Sequence, residues 1–114
     1  MTQHYRIAFA CVSDDPALRL EGLGFSCADV RTSFELAARR FPIDLSFYDN
    51  RADRGVAVSN IDDAIRKRVD LFIEYDPDLE VNAIAGAHLK AAGIPALAMK
   101  VGYEENSPQA ALVP

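Results

Sequence analysis

Four short apolar runs, each closing on polar or charged residues, are separated by segments of helical periodicity and fill almost all of a 114-residue chain. Ile7 to Val12 runs into Ser13, Asp14 and Asp15, and Ile43 to Tyr48 into Asp49 and Asn50. Leu71 to Ile73 runs into Tyr75, Asp76, Pro77 and Asp78, and Ala96 to Met99 into Lys100. Strands alternating with helices specify βαβ units, whose right-handed crossovers keep the strands parallel. An open parallel sheet places its binding crevice at the carboxyl ends of its strands. The pattern therefore says where a ligand sits before it says which ligand.

The first run is apolar at six consecutive positions, as expected of a strand covered on both faces. Residues 13–25, with Pro16, Gly22 and Gly24, read as a loop. Ser26 followed by Asp29 reads as a capping box. Behind it Cys27, Val30, Phe34, Ala37, Ala38 and Phe41 recur at helical spacing, and Pro42 ends the helix. The second strand alternates, with Ile43, Leu45 and Phe47 against Asp44, Ser46 and Tyr48, so one of its faces is partly wet. Val58, Ile61, Ile65 and Val69 mark a second helix over about residues 54–68, and Val69 to Ile73 a third strand. Val81, Ile84, Ala87 and Ala91 mark a third helix, stopped by Gly93 and Pro95. Two buried strands and one half-wet strand fit the sheet order 2-1-3-4, with its switch point between strands 1 and 3. The expected fold is α/β: a three-layer α/β/α sandwich on a mostly parallel sheet, one domain over residues 1–114 with an irregular tail over 102–114.

Composition narrows the function. The net charge is −5, from 12 basic and 17 acidic residues without a basic patch, which argues against a nucleic-acid partner. No apolar run approaches the length of a membrane span. Met1 to Tyr5 leads straight into the first strand, as in a cytoplasmic chain or a mature form that starts with an added Met. Cys11 and Cys27 read as two small buried hydrophobes and fix no redox compartment.

The order of these segments resembles the amino-terminal lobe of the type I periplasmic sugar-binding proteins, the ribose-binding-like branch of ABC-transporter substrate receptors. The resemblance rests on IAFACVS and a following loop with a proline, on FELAARRF closing a helix, and on LSFYDN. It rests also on IDDAIRKRVDLFIEYDPD, a helix passing through Val69-Asp70 into a strand and polar turn, and on HLKAAGIP before the fourth strand. It covers residues 6 to about 100. Two departures stand out: one lobe is present where the family has two, and Lys100 stands where many sugar-binding relatives place an Asp.

The resemblance implies a periplasmic location, ABC-transporter membrane components as partners, and a small polar solute, sugar-like, bound at the strand ends. Sugar recognition uses carboxylates and amides on hydroxyls and an aromatic face on the ring. Ser13, Asp14, Asp15, Asp49, Asn50 and Asp76 supply the polar groups; Phe25 and Tyr103 are the aromatic candidates. Lys100 is placed to neutralise an anionic group or pair with Asp76. Each has a plainer role. Asp, Asn and Ser are preferred caps and turn formers, Asp15-Pro16 and Asp76-Pro77 look like helix starts, Phe25 fits the hydrophobic position before the Ser26 cap, and a strand-end lysine is often only solvated.

No Gly-rich phosphate loop and no nucleophile elbow occur, and Cys11 has no histidine base in the pattern, so the reading is neither an enzyme nor a cofactor or metal protein. The competing reading is a response-regulator receiver, with Asp14, Asp15, Asp76 and Lys100 in outline of a Mg²⁺-assisted phosphoacceptor site. A lone lobe leaves Ala96 to Met99 as an apolar sheet edge, which invites a homo-oligomer through that edge or through the tail at 110–113.

Overall fold

The computed structural model describes residues 4–15 and 26–98. Four strands, β1 (Tyr5–Cys11), β2 (Ile43–Asp49), β3 (Leu71–Tyr75) and β4 (Ala96–Ala98), alternate with three helices, α1 (Cys27–Ala38), α2 (Arg54–Arg66) and α3 (Leu79–Ala91). The sheet is parallel throughout, in the order β2-β1-β3-β4. The chain turns one way from β1 to reach β2 and the other way to reach β3, so the switch point lies between β1 and β3.

Strand alternation delivers two cores, one on each face. Phe9, Cys11, Ile73 and Tyr75 point to the α1 side and pack with Cys27, Val30, Phe34, Leu45 and Phe47. Ala8, Ala10 and Phe72 point to the other side, against Ile61 and Ala64 of α2 and Ala85 and Leu89 of α3. Ala8, Phe9, Ala10 and Cys11 are all fully buried, as six apolar residues in a row require of a central strand.

The helix starts and stops follow local chemistry. The capping box at α1 is present: Ser26 Oγ accepts from the Asp29 N–H, and the Asp29 carboxylate accepts from the Ser26 N–H. Asp53 and Asp78 cap α2 and α3. Both of these helices close in a Schellman arrangement, the Val69 N–H reaching the Ala64 carbonyl and the Ile94 N–H the Leu89 carbonyl. Each needs a left-handed residue at its close, Gly93 in one and, less commonly, Arg68 in the other.

Four expectations are corrected. First, α1 ends at Ala38, before Pro42, and leaves Phe41 61 % exposed in the turn beyond. Second, α3 buries Val81, Ala85 and Leu89, and not the stripe through Ile84, Ala87 and Ala91. With alanine at 83, 85, 87 and 91, almost any face of that helix passes for apolar. Third, β3 lies two residues later than the apolar run suggests, because Val69 belongs to the close of α2; Glu74 is thereby drawn into the sheet. Fourth, Cys11 and Cys27 are buried as expected but joined in a disulfide, with Cα atoms 6.0 Å apart. The expected tail over 102–114 and Met99 lie outside the described residues.

Candidate functional site

The carboxyl ends of β1, β2 and β3 are tied into one crest. The Asn50 N–H donates to the Cys11 carbonyl (2.8 Å), the Ala52 N–H to the Val12 carbonyl (2.6 Å) and the Val12 N–H to the Tyr75 carbonyl (3.0 Å). Arg51 and Ala52 both adopt left-handed backbone, φ 53° and 52°, which costs non-glycine residues about 1–2 kcal/mol each. The strain is held by three bonds: Ala52 to Val12, the Arg51 N–H to Asp49 Oδ1 (2.8 Å), and the Asp53 N–H to the Asn50 carbonyl (3.0 Å). Strain of this kind over-determined by its surroundings is a mark of functional loops.

Beside this crest, at the switch point, opens a cleft of about 380 Å³. Val12 follows β1 into it, Ala52, Asp53 and Arg54 come from the start of α2, and Asp76, Pro77, Asp78 and Val81 from the end of β3 and the start of α3. Three carboxylates and one guanidinium therefore face the opening, together with the amino ends of two helices. Arg54 spans the mouth. Its guanidinium donates to both Asp78 oxygens, at 2.6 and 3.2 Å, and pairs with Glu80. The Arg54 hydrogen bond, ahead of the cap bonds from Glu80 and Val81, holds the Asp78 carboxyl below the usual range.

Under the cleft lies a buried polar network. Asn50 is fully buried, Asp76 is 4 % and Glu74 2 % exposed. Asn50 Nδ2 donates to Asp76 Oδ2 at 3.1 Å and to Glu74 Oε2 at 3.5 Å, while its Oδ1 accepts from Asn60 Nδ2 at 3.0 Å. The Asp76 carbonyl accepts from Asn82 Nδ2 (2.9 Å), and Asp76 Oδ1 from the Asp78 N–H (2.9 Å). Burial raises the Asp76 pKa against these donors. Burial, and next the Asp76 charge, push Glu74 up to about 8.

The expected site residues separate into three groups. Asp76 lines the cleft and Asn50 supports it from below. Ser13, Asp14, Asp15 and Asp49 sit on the β1–β2 side of the crest. There Asp49 Oδ1 accepts from the Asp14 N–H (3.2 Å), and Asp14 Oδ2 from Arg31 (3.2 Å), whose guanidinium lies 4.7 Å above the Phe47 ring centroid. Ser13 Oγ accepts from the Asp15 N–H. Phe25, Lys100 and Tyr103 lie outside the described residues. Asp76 does not start a helix; Asp78 does, and Asp76 instead braces the turn before it. The acids of the receiver outline are spread between Arg31 and the Asn50 network, and among the described residues no three acidic, cysteine or histidine side chains converge on a metal position.

Sequence reasoning places the loop carrying Asp78 beside the crevice but passes over Asp53 and Arg54 as members of the cleft, and over Glu74 altogether. Asp53 is legible only as a cap and Arg54 only as the first residue of a helix until the sheet order brings two helix starts together. An acid between Ile73 and Tyr75 is the one signal for Glu74, since an ionisable residue inside a covered strand requires a reason.

No protein-family model matches the chain, and no curated protein matches it in sequence. Among solved structures, it is similar to an ABC transporter solute binding protein from Bacillus halodurans C-125 with bound myo-inositol. The TM-score is 0.68 and the sequence identity 19 %; the match covers 94 % of this chain and 34 % of that one. The fold is thus that of one lobe of a type I periplasmic binding protein, and the chain spans about a third of that protein's length. No described helix is long and apolar enough to cross a membrane.

Proposed function

We propose that the chain is a solute-binding lobe of the ABC-transporter receptor type, which takes a small polyhydroxylated solute in the cleft at the β1–β3 switch point. The observation that carries this is the cleft itself. It opens where a doubly wound sheet presents its ligand, with Asp76 and Asp78 as acceptors for hydroxyl groups and the Arg54 guanidinium and helix amides as donors. Three carboxylates against one cation favour a neutral polyol over an anion. The likeness to a protein with bound myo-inositol points to the same class. The group Ser13, Asp14, Asp15, Asp49 belongs to the outer wall of this site. A disulfide persists in oxidising compartments, which supports a periplasmic location and transporter membrane components as partners.

One lobe supplies one wall of a site that two lobes would close, so the affinity of this chain alone is weak. Titration with a panel of polyols, myo-inositol included, followed by amide shifts and calorimetry, tests the reading. Shifts confined to Val12, Ala52–Arg54 and Asp76–Val81, with millimolar-range affinity, are expected. Shifts at the opposite end of the sheet refute the site, and a tight complex refutes the half-site argument. The outer edge of β4 is unpaired among the described residues and its Leu97 is 54 % exposed, which favours self-association there. A clean monomer in sedimentation at micromolar concentration excludes that.

A further inference from the structure

Glu74 stands inside β3, 2 % exposed, between Ala10 of β1 and Ala98 of β4 in register. Those small neighbours leave room for its side chain under the cleft. Its hydrogen bond among the described residues is the long one from Asn50 Nδ2, and its Oε1 is buried with no partner. The same amide nitrogen serves Asp76, so one donor group is divided between two carboxyl groups.

Among the described residues, the surroundings offer no compensating charge. β1 and β4 contribute alanines, α2 meets the network through Asn60, and α3 through Asn82. The ionisable groups nearby, among the described residues, are Asp76 and the helix caps Asp53 and Asp78. Among the described residues, the cation lining the cleft is Arg54, which is engaged with Asp78 and Glu80 at the rim. An ionised carboxylate there is desolvated, half without hydrogen bonds, and faces another carboxylate; a neutral acid avoids all three penalties and gains an O–H donor.

We propose that Glu74 is a proton-binding site in the floor of the cleft: the folded protein holds it as a carboxylic acid, and loss of that proton loosens the Asn50 tie that sets the rim at Arg51–Asp53. Asn50 is the link because its side chain holds the two acids while its backbone holds the rim, its N–H on Cys11 and its carbonyl on Asp53. With the proton bound, the amide is free to serve Asp76. With the proton lost, two carboxylates compete for one amide and repel each other. The left-handed Arg51 and Ala52, held by hydrogen bonds to Asp49 and Val12, respond first.

The direction of the pH dependence follows from the upward displacement of Glu74, from 4.5 to about 8. Across that window the folded chain holds a proton that the unfolded chain has released. The contribution to stability is complete below the lower value, declines as pH rises, and is gone above the upper one. This holds whatever solute occupies the cleft, so its failure and the failure of the solute-binding reading are separate results.

The test is carbon-detected NMR of side-chain carboxyls with amide shifts on the full chain across this pH range. Expected is a Glu74 midpoint near pH 8, with the amides of Arg51, Ala52 and Asp53 moving at the same midpoint. In E74Q that amide transition disappears, and the thermal midpoint, close to the parent chain's at low pH, lies above it beyond pH 8. A Glu74 midpoint at its ordinary value overturns the proposal. So does a proton held on Asp76 instead, or a high Glu74 midpoint with a static rim. If E74Q does not fold, the titration of the parent chain decides alone.

Discussion

The two faces of the sheet are built from the same strands and by opposite means. On the α1 face, Phe9 stacks on Phe34 with centroids 4.8 Å apart and meets Phe47 at 5.7 Å and Tyr75 at 6.4 Å, and a disulfide fastens β1 to the first residue of α1. On the α2–α3 face the strands offer mainly alanine, two helices pack close, and the layer changes near the strand ends into the Asn50–Glu74–Asp76 network. Large rings and a covalent bond fix one face independently of the cleft. Small side chains on the other let two helix starts approach the switch point and leave space for buried polar groups. The face that is packed less heavily is the one that carries the candidate site.

The largest expected effects test whether the aromatic face is the anchor. Phe9→Ala removes a fully buried ring and its contacts with three others, at a cost of about 3–5 kcal/mol, toward the upper end because aromatic pairs add to burial. Phe72→Ala, on the opposite face between Ala8 and Ala96 in register, falls toward the lower end of the same range. Denaturant midpoints of the two variants decide; an equal or reversed order breaks the comparison. Next comes the disulfide. With its cysteines 16 positions apart in the chain, its removal in a Cys11→Ala/Cys27→Ala double variant costs about 3 kcal/mol by chain entropy. Hydrogen exchange sharpens the point: protection is lost over α1 first, while the amides of Ala57, Ile61 and Ala85 keep theirs. Uniform loss over both faces contradicts independent anchoring.

Much of this architecture is legible in the residues. Hydrophobic period alone yields the strand count, the parallel order and the position of the crevice, because each of those follows from which faces are covered. The α1 start is equally plain, since Ser26 and Asp29 have one good use three residues apart. What fails is what depends on contacts between distant segments. The pairing of Cys11 with Cys27 requires knowing that the capped start of α1 lies over the end of β1. The buried stripe of α3 is set by its packing on α2, which alanine-rich periodicity does not report. Glu74 is hidden for a different reason. Apolar count marks Val69 to Ile73 as the strand, but the close of α2 consumes Val69, and register with β1 moves the strand on until the acid is inside it.

The smallest expected effect separates stability from function most cleanly, through two helix caps on opposite faces. Ser26→Ala removes the acceptor of the Asp29 N–H at α1, and Asp53→Ala removes the acceptor of the Val56 N–H at α2, where the bond is 3.0 Å. Each loses one side-chain cap and costs about 1 kcal/mol of stability. They differ in what else the side chain touches. Ser26 is buried over the disulfide face and does not line the cleft, whereas Asp53 lines it and contributes one of its three carboxylates. Matched thermal midpoints with polyol-induced amide shifts retained in the first variant and diminished in the second are the expected result. Equal shifts in both leave Asp53 a cap and nothing more, and would move the binding surface away from the helix starts to the β1–β2 side of the crest, where Asp14 and Asp49 stand.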